Sequence, residues 1–368
     1  MAMKLLELSG SPFERGQQHG QEMANSVKAN IQTYKNRFLM GGASEETILN
    51  EAAGWANRFR DHDGEYYEEM QGIAKGADVS IAEIGLLNAR YELSYTLYTN
   101  EAAAANEAPP SHEPEGCTSF GVQPEYTATG TTIMGQNWDW LDGLVGNMCL
   151  LRVRSDRHPD YLILTQAGIV SGMIGINEQG IGLCVNGLSS KRDGLHLHHR
   201  PFHIRVQDIM RSTTLNDAMK VILATDRVCS TNWLIGCRGG EVLDIETSPD
   251  VAHSLYPSDG LITHGNHFIN RTGIETEFER VAPCSLYRTP RLDRLIRQNQ
   301  QKWDAEHLKA TLKDKFGYPR AICRDVNPDD PEEARTVTVA SVIMDLDALT
   351  MDVTDGPPDV NEYRRHAL

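Results

Sequence analysis

The sequence predicts a single α+β domain in which helices cover stacked antiparallel sheets. Three observations carry that expectation: helical periodicity through the first hundred residues, a break into short β-branched and apolar runs after Cys117, and a second helical section ahead of a last pair of strands. With 368 residues, 40% apolar and 23% charged, the chain has ordinary globular composition and enough length to bury a large core.

The elements follow in order. Met23, Val27, Ile31, Tyr34 and Phe38 recur every three or four positions and draw one apolar stripe on a helix. Ser80 and Glu83 form a capping-box pattern that opens a second helix through IGLLNARYEL. Between Thr99 and Glu115 the text turns polar, proline-containing and aperiodic, which reads as an exposed, mobile loop. After it, CTSFGVQ, TTIMGQNW, NMCLLRVR, YLILT, GMIGI and IGLCVN read as short strands, and several strands in sequence favour antiparallel pairing. HIRVQDIM and TLNDAMKVILA are helical, the latter capped by Thr214 and Asp217, and NWLIGC with EVLDIE makes a hairpin. SLYRTPRLDRLIRQ and HLKATLKDKF return to helix before RTVTVASVIMD and LTMDVTD close the chain as strands.

A net charge of −16 disfavours a grip on nucleic acid phosphates, which needs clustered Lys and Arg. No apolar run approaches the length of about 18 that a membrane span requires, and the first residues carry no secretory pattern, so a soluble, cytoplasmic protein is expected, with no membrane partner. Glycine-rich stretches such as SGMIGINEQG lack both GxGxxG and a P-loop lysine, so no nucleotide cofactor is indicated, and coenzyme A, if used, is a substrate.

Seven cysteines, with no CxxC pair, suggest neither a disulfide framework nor structural zinc. Six read as small buried hydrophobes. Cys117 differs. If its strand pairs with TTIMGQNW through the turn EYTATG, the midpoint of 117 and 139 falls at 128, inside that turn, and Asp139 lies directly opposite Cys117. GQNWDW then brings a carboxylate, with the Asn137 amide and Trp138 indole, beside the thiol. No histidine other than His112, in the loop, stands close in sequence to supply a base. A cysteine at a chain terminus carries its own base, because its α-amine has a pKa near 8. Attack of Cys117 on the carbonyl of Gly116, followed by hydrolysis of the ester-like intermediate, would create that terminus. The alternative reading of Cys117 is a core residue that starts a strand.

Ordered motifs extend the argument: GSPFERGQQHG from Gly10, YYEEMQGIAKGADVSIAEIGLLNAR from Tyr66, GCTSF from Gly116, GQNWDW from Gly135, AGIVSGMIGINEQGIGLCVN from Ala167, IETSP from Ile245, THGNH from Thr263 and YPRAICR from Tyr318. By these the chain resembles the acyl-coenzyme A:isopenicillin N acyltransferase family, autoproteolytic N-terminal-nucleophile enzymes with stacked αββα layers. The resemblance implies Cys117 as nucleophile of self-cleavage and turnover, with Gly116 ending the smaller subunit. It also implies Asp139 as a hold on the α-amine, Asn266 as an oxyanion-stabilising amide, Arg324 as a cation near the active centre, and Ser248, Asn137 and Trp138 as support or substrate contacts. Residues 1–116 would be a mostly helical subunit and 117–368 its partner, together an αβ heterodimer within one structural domain. The substrate would be an N-acyl amide or an acyl thioester, with an amine or water as acceptor.

The C-terminus RRHAL is a poor peroxisomal tripeptide, and VNGLSSKRDGLHLHHR replaces the family's usual text, so acyl chemistry outside penicillins stays open, as does transfer against hydrolysis. Two further readings compete: a metal-dependent hydrolase using His196, His198, His199 and His203, for which neither HExxH nor a clear carboxylate partner stands near, and a non-catalytic binding relative.

Overall fold

The structure is a computed structural model that describes residues 3–94, 116–276, 278–299 and 302–368. The expected loop between Thr99 and Glu115, with His112, lies outside the described residues.

Five helices, α1 (Pro12–Glu22), α2 (Ala24–Met40), α3 (Glu45–His62), α4 (Gly64–Ala77) and α5 (Ile81–Asn88), form an outer layer. The stripe from Val27 to Phe38 is buried on α2, and Ser80 and Glu83 close the capping box of α5 as the sequence predicts. α1 and α4 cross with their backbones in contact. Gly16 and Gly20 on one helix meet Gly72 and Gly76 on the other, and a Cβ on Gly16 would lie 2.0 Å from the Glu69 carbonyl oxygen. Beside that crossing Arg15 and Glu69 form a buried pair at 2.8 Å.

An eight-stranded sheet runs in the order β1 (Lys4–Leu8), β4 (Met148–Val153), β5 (Tyr161–Gln166), β6 (Ile174–Asn177), β7 (Ile181–Gly187), β8 (Thr231–Cys237), β9 (Val242–Thr247) and β10 (Ala252–Leu255). A six-stranded sheet follows the order β11 (Leu261–His264), β2 (Thr118–Val122), β3 (Ile133–Leu141), β12 (Thr336–Asp345), β13 (Thr350–Val353) and β14 (Arg364–Ala367). Every pairing is antiparallel except β1 with β4. β1 corrects the all-helical reading of the first hundred residues: five residues are too few to show periodicity against the helices that follow.

The helical layer is tied to the first sheet by buried polar bonds. The Asn30 amide donates to the Asn147 and Ala167 carbonyls, and the Gly168 N–H donates to His19 at 3.0 Å. Burial pushes His19 down to about 4, which keeps that ring neutral and able to accept. α6 (Phe202–Met210) and α7 (Leu215–Leu223) pack on β6 and β8 of the same sheet. Beyond the short α8 (Phe278–Val281), α9 (Ser285–Arg297) and α10 (Ala305–Thr311) cover the second sheet, where Leu292, Ile296, Leu308 and Leu312 pack against Phe120, Val122 and Ile343. The two sheets meet face to face through β2, β3, β7 and β8. The result is the four-layer αββα sandwich.

Candidate active site

Cys117 enters the second sheet one residue before β2 and is fully buried. β2 and β3 form the expected hairpin, but its register differs by one residue. Thr118 faces Asn137 and Ser119 faces Gln136, so the pairing extended by one step sets Cys117 against Trp138. Asp139 lies beside Gly116, whose N–H donates to the Asp139 carbonyl at 3.4 Å. The expectation that Asp139 stands directly opposite Cys117 is therefore corrected. Because side chains alternate across a strand, this one-residue slip puts the carboxylate on the opposite face from the thiol.

The two faces have different company. Toward the other sheet, Ser119 donates to Asn186 Oδ1 at 2.8 Å and Gln136 donates to the Val185 carbonyl. Cys117 follows the same alternation, and its sulfur is near enough to Cys184 to add to the burial and the Asp244 charge that push the Cys184 thiol up. Toward the α9–α10 layer, Asn137 donates to the Leu312 and Ile322 carbonyls, and Asp139 Oδ1 accepts from Thr338 Oγ1 at 2.6 Å. The Gly116–Cys117 segment lies between the faces.

Asp139 is fully buried, and burial raises its carboxyl to about 7 against the opposing pull of Arg324, Arg288, Thr338 and Lys315. Arg324 Nε stands 3.5 Å from Asp139 Oδ2, while its terminal nitrogens reach Thr336 Oγ1 and Cys284 Sγ. The same guanidinium covers Gly116. A Cβ at Gly116 would sit 2.5 Å from Arg324 Nη2, so only glycine fits before Cys117 without moving the arginine. Gly116→Ala is expected to displace Arg324 and slow any reaction at the Gly116 carbonyl by on the order of 10²-fold, read as accumulation of uncleaved chain by intact mass.

Asn266 follows β11 and is fully buried. Its Nδ2 donates to the Gly187 carbonyl at 3.1 Å, its Oδ1 accepts from Arg288 Nη2 at 2.9 Å, and its N–H donates to Ser285 Oγ at 2.7 Å. The preceding peptide is pinned by His264, which donates from Nδ1 to the Gly265 carbonyl at 3.0 Å and from Nε2 to Glu246 at 2.9 Å. Two donors on one ring mean the imidazolium form. Burial pulls its pKa down, but Asp244 and Glu246 outweigh that and hold it above the usual value.

Ser248 lies elsewhere in the frame. It ends β9 in the turn to β10, where its hydroxyl accepts from the Val251 N–H and its carbonyl from Arg227. His203 stands apart from the other histidines, buried on α6 beside Ser171, while His196 stacks on His199, whose ring meets the Arg227 carbonyl. No three His, Cys, Asp or Glu side chains converge on a metal position among the described residues. No described helix is long and apolar enough to cross a membrane.

Sequence reasoning missed Arg288, His264 and Asn186. His264 stands inside the THGNH motif and Asn186 ends GIGLCVN, so both were within reach. Asn186 Nδ2 is buried with no acceptor among the described residues, an unused donor on the Cys117 face. Arg288 is one of four arginines on α9 and carries no local signal.

Residues 127–359 match the model of the family described as acyl-coenzyme A:6-aminopenicillanic acid acyl-transferase. Over 320 residues the chain is 27% identical to the acyl-coenzyme A:6-aminopenicillanic-acid-acyltransferase 40 kDa form of Emericella nidulans, covering 86% of this chain and 83% of that one. Similar solved structures include a Caenorhabditis elegans N-acylethanolamine-hydrolyzing acid amidase ortholog, with a TM-score of 0.48 and 15% identity over 63% of this chain and 93% of that one. A mutant conjugated bile acid hydrolase from Clostridium perfringens follows, with a TM-score of 0.45 and 10% identity over 68% and 97%. The family match spans more than half of the sequence: the chain belongs to the acyl-coenzyme A:6-aminopenicillanic acid acyl-transferase family of acyl-transferring enzymes.

Proposed function

We propose that this enzyme cleaves itself between Gly116 and Cys117 and then transfers or hydrolyses N-acyl groups through a thioester on Cys117. The observation that carries the reading is the clamped Gly116–Cys117 peptide. Its N-terminal side lies against the Asp139–Arg324 pair, and the Cys117 carbonyl accepts from Arg288 at 2.8 Å.

In self-cleavage the Cys117 sulfur attacks the Gly116 carbonyl carbon, and the C–N bond breaks with the thiol proton passing to the departing amine. Water then hydrolyses the thioester, leaving a Gly116 carboxylate and a free Cys117 α-amine. That amine lies next to Asp139, where a carboxylate holds it by a charged hydrogen bond. In turnover the α-amine takes the thiol proton, directly or through one water, as the sulfur attacks a substrate amide or thioester carbonyl. Asn266 Nδ2 stabilises the oxyanion, a contribution of about 3 kcal/mol for a preorganised donor. Collapse expels the amine or thiol and leaves an acyl-thioester, which an amine acceptor or water resolves. The two parts of the mature enzyme, residues 1–116 and 117–368, stay together as an αβ heterodimer because α2 to α5 and β1 share one core with the sheets.

The test is intact mass and N-terminal sequencing of the purified protein. Two fragments, the larger beginning Cys-Thr-Ser-Phe, are expected; a chain that stays whole after prolonged incubation sinks the mechanism, because no free α-amine then exists.

A further inference from the structure

We infer that Arg288 is a positioning residue for both reactions of Cys117, setting the orientation of the Asn266 amide and the electrostatics of the scissile segment. The inference rests on Cys117 as nucleophile and Asn266 as oxyanion donor, and extends the part of Arg288 from holding the Cys117 carbonyl to setting the oxyanion amide.

Arg288 lies in the first turns of α9 and is fully buried. Nη1 donates to the Cys117 carbonyl at 2.8 Å and to Thr118 Oγ1, and Nη2 donates to Asn266 Oδ1 at 2.9 Å. One planar fork thus joins the nucleophile's backbone to the oxyanion amide across 22 positions of sequence, Asn266 to Arg288. A guanidinium has donors only, so the atom of Asn266 that faces it must be Oδ1, and Nδ2 is turned away. One Nδ2 hydrogen serves the Gly187 carbonyl, which leaves the second for an oxyanion. Ser285, one helical turn earlier on the same helix face, accepts the Asn266 N–H, so α9 holds both the backbone and the side chain of this residue.

The electrostatics point the same way. Among the described residues no carboxylate lies within ion-pair distance of Arg288, and its Nε has no hydrogen-bond partner. A buried guanidinium without a counterion is costly, which makes it a poor choice for stability alone. Its field reaches Asp139, where it favours the ionised carboxylate. The same field favours negative charge on the oxygen of a tetrahedral intermediate formed at Cys117.

The experiment compares wild type, Arg288→Met and Arg288→Lys by self-cleavage time course and by the nitrophenolate burst with p-nitrophenyl acetate, normalised to the cleaved fraction, from pH 5 to 9. Arg288→Met is expected to slow both steps by about 10²-fold with KM unchanged, and to move the acid limb of the pH profile upward. Arg288→Lys keeps the charge but cannot span both acceptors, so the limb returns toward the wild-type position while the rate stays low. A merely structural arginine would lower the thermal midpoint and leave the pH limb in place. Folded Arg288→Met with wild-type rate and limb overturns the inference. If Arg288→Met does not fold, wild-type rates in Arg288→Lys overturn it instead. A wild type that neither cleaves nor gives a burst overturns the underlying assignment, and this inference with it.

Discussion

Cys117→Ala is expected to yield one uncleaved 41.0 kDa chain and to lose turnover by on the order of 10⁶-fold, the scale seen when a catalytic nucleophile is removed. The effect is all-or-none because, in the proposed mechanism, one sulfur serves two reactions. Without it the Gly116–Cys117 bond stays closed, so the α-amine that would act as base is never released. Cys117→Ser, which nearly keeps the volume, separates chemistry from packing. At a purely structural position, either change would alter thermal stability and leave chain length untouched. Mass spectrometry of the two variants decides, and cleaved Cys117→Ala would eliminate Cys117 as the nucleophile.

The second large effect belongs to Asp139. Its carboxyl is raised to about 7 by burial, so only a fraction is ionised in mildly acid solution. Self-cleavage that relies on the carboxylate should therefore fall about tenfold per pH unit below 7 and level off above it. Asp139→Asn, which accepts from Thr338 but carries no charge, should lose that limb and slow the reaction by on the order of 10³-fold, within the range of acid–base assistance. Stability moves in the opposite sense. A carboxyl whose folded pKa lies above its unfolded 3.8 contributes stability that is fully present below pH 3.8 and is lost as pH rises through about 7. Asp139→Asn should then be more stable than wild type above pH 7, by on the order of 4 kcal/mol at most, and indistinguishable below pH 4. Chemical denaturation at the two pH values, beside the cleavage rates, checks both signs. A flat wild-type profile from pH 5 to 9 would exclude the Asp139 carboxylate as the controlling group.

The pH limb also bears on Asn266. His264 holds the Gly265 carbonyl only while its ring is doubly protonated, so the loop carrying the Asn266 amide is firmest below the raised pKa of that histidine and loosens as pH rises through it. On the proposed mechanism, Asp139 and His264 bound the working range from opposite sides.

Much of this molecule was legible in the text of its chain. Alternation and turn residues locate β2 to β9, the Ser80 and Thr214 caps start their helices where expected, and the order of elements gives stacked sheets between helices, because these signals arise within a few residues of one another. Gly116, Cys117 and Asp139 were brought together by a hairpin midpoint, an argument that needs only strand geometry. Its one-residue error shows the limit: register is set by which side chains the other sheet and α9 receive, and half a residue in the midpoint changes the face. Arg288 and the pairing of His264 with Glu246, though not His264 itself, lay beyond reach for a related reason. Arg288 is chemically the same as Arg291, Arg294 and Arg297 on its helix, and only the packing of α9 over β2 selects it for burial against Cys117 and Asn266. Glu246 meets His264 because β9 and β11 lie in facing sheets. Periodicity within a segment is a local property and survives in sequence. Which face of one layer meets which residue of another depends on packing between segments far apart in the chain, and the tertiary structure alone decided it.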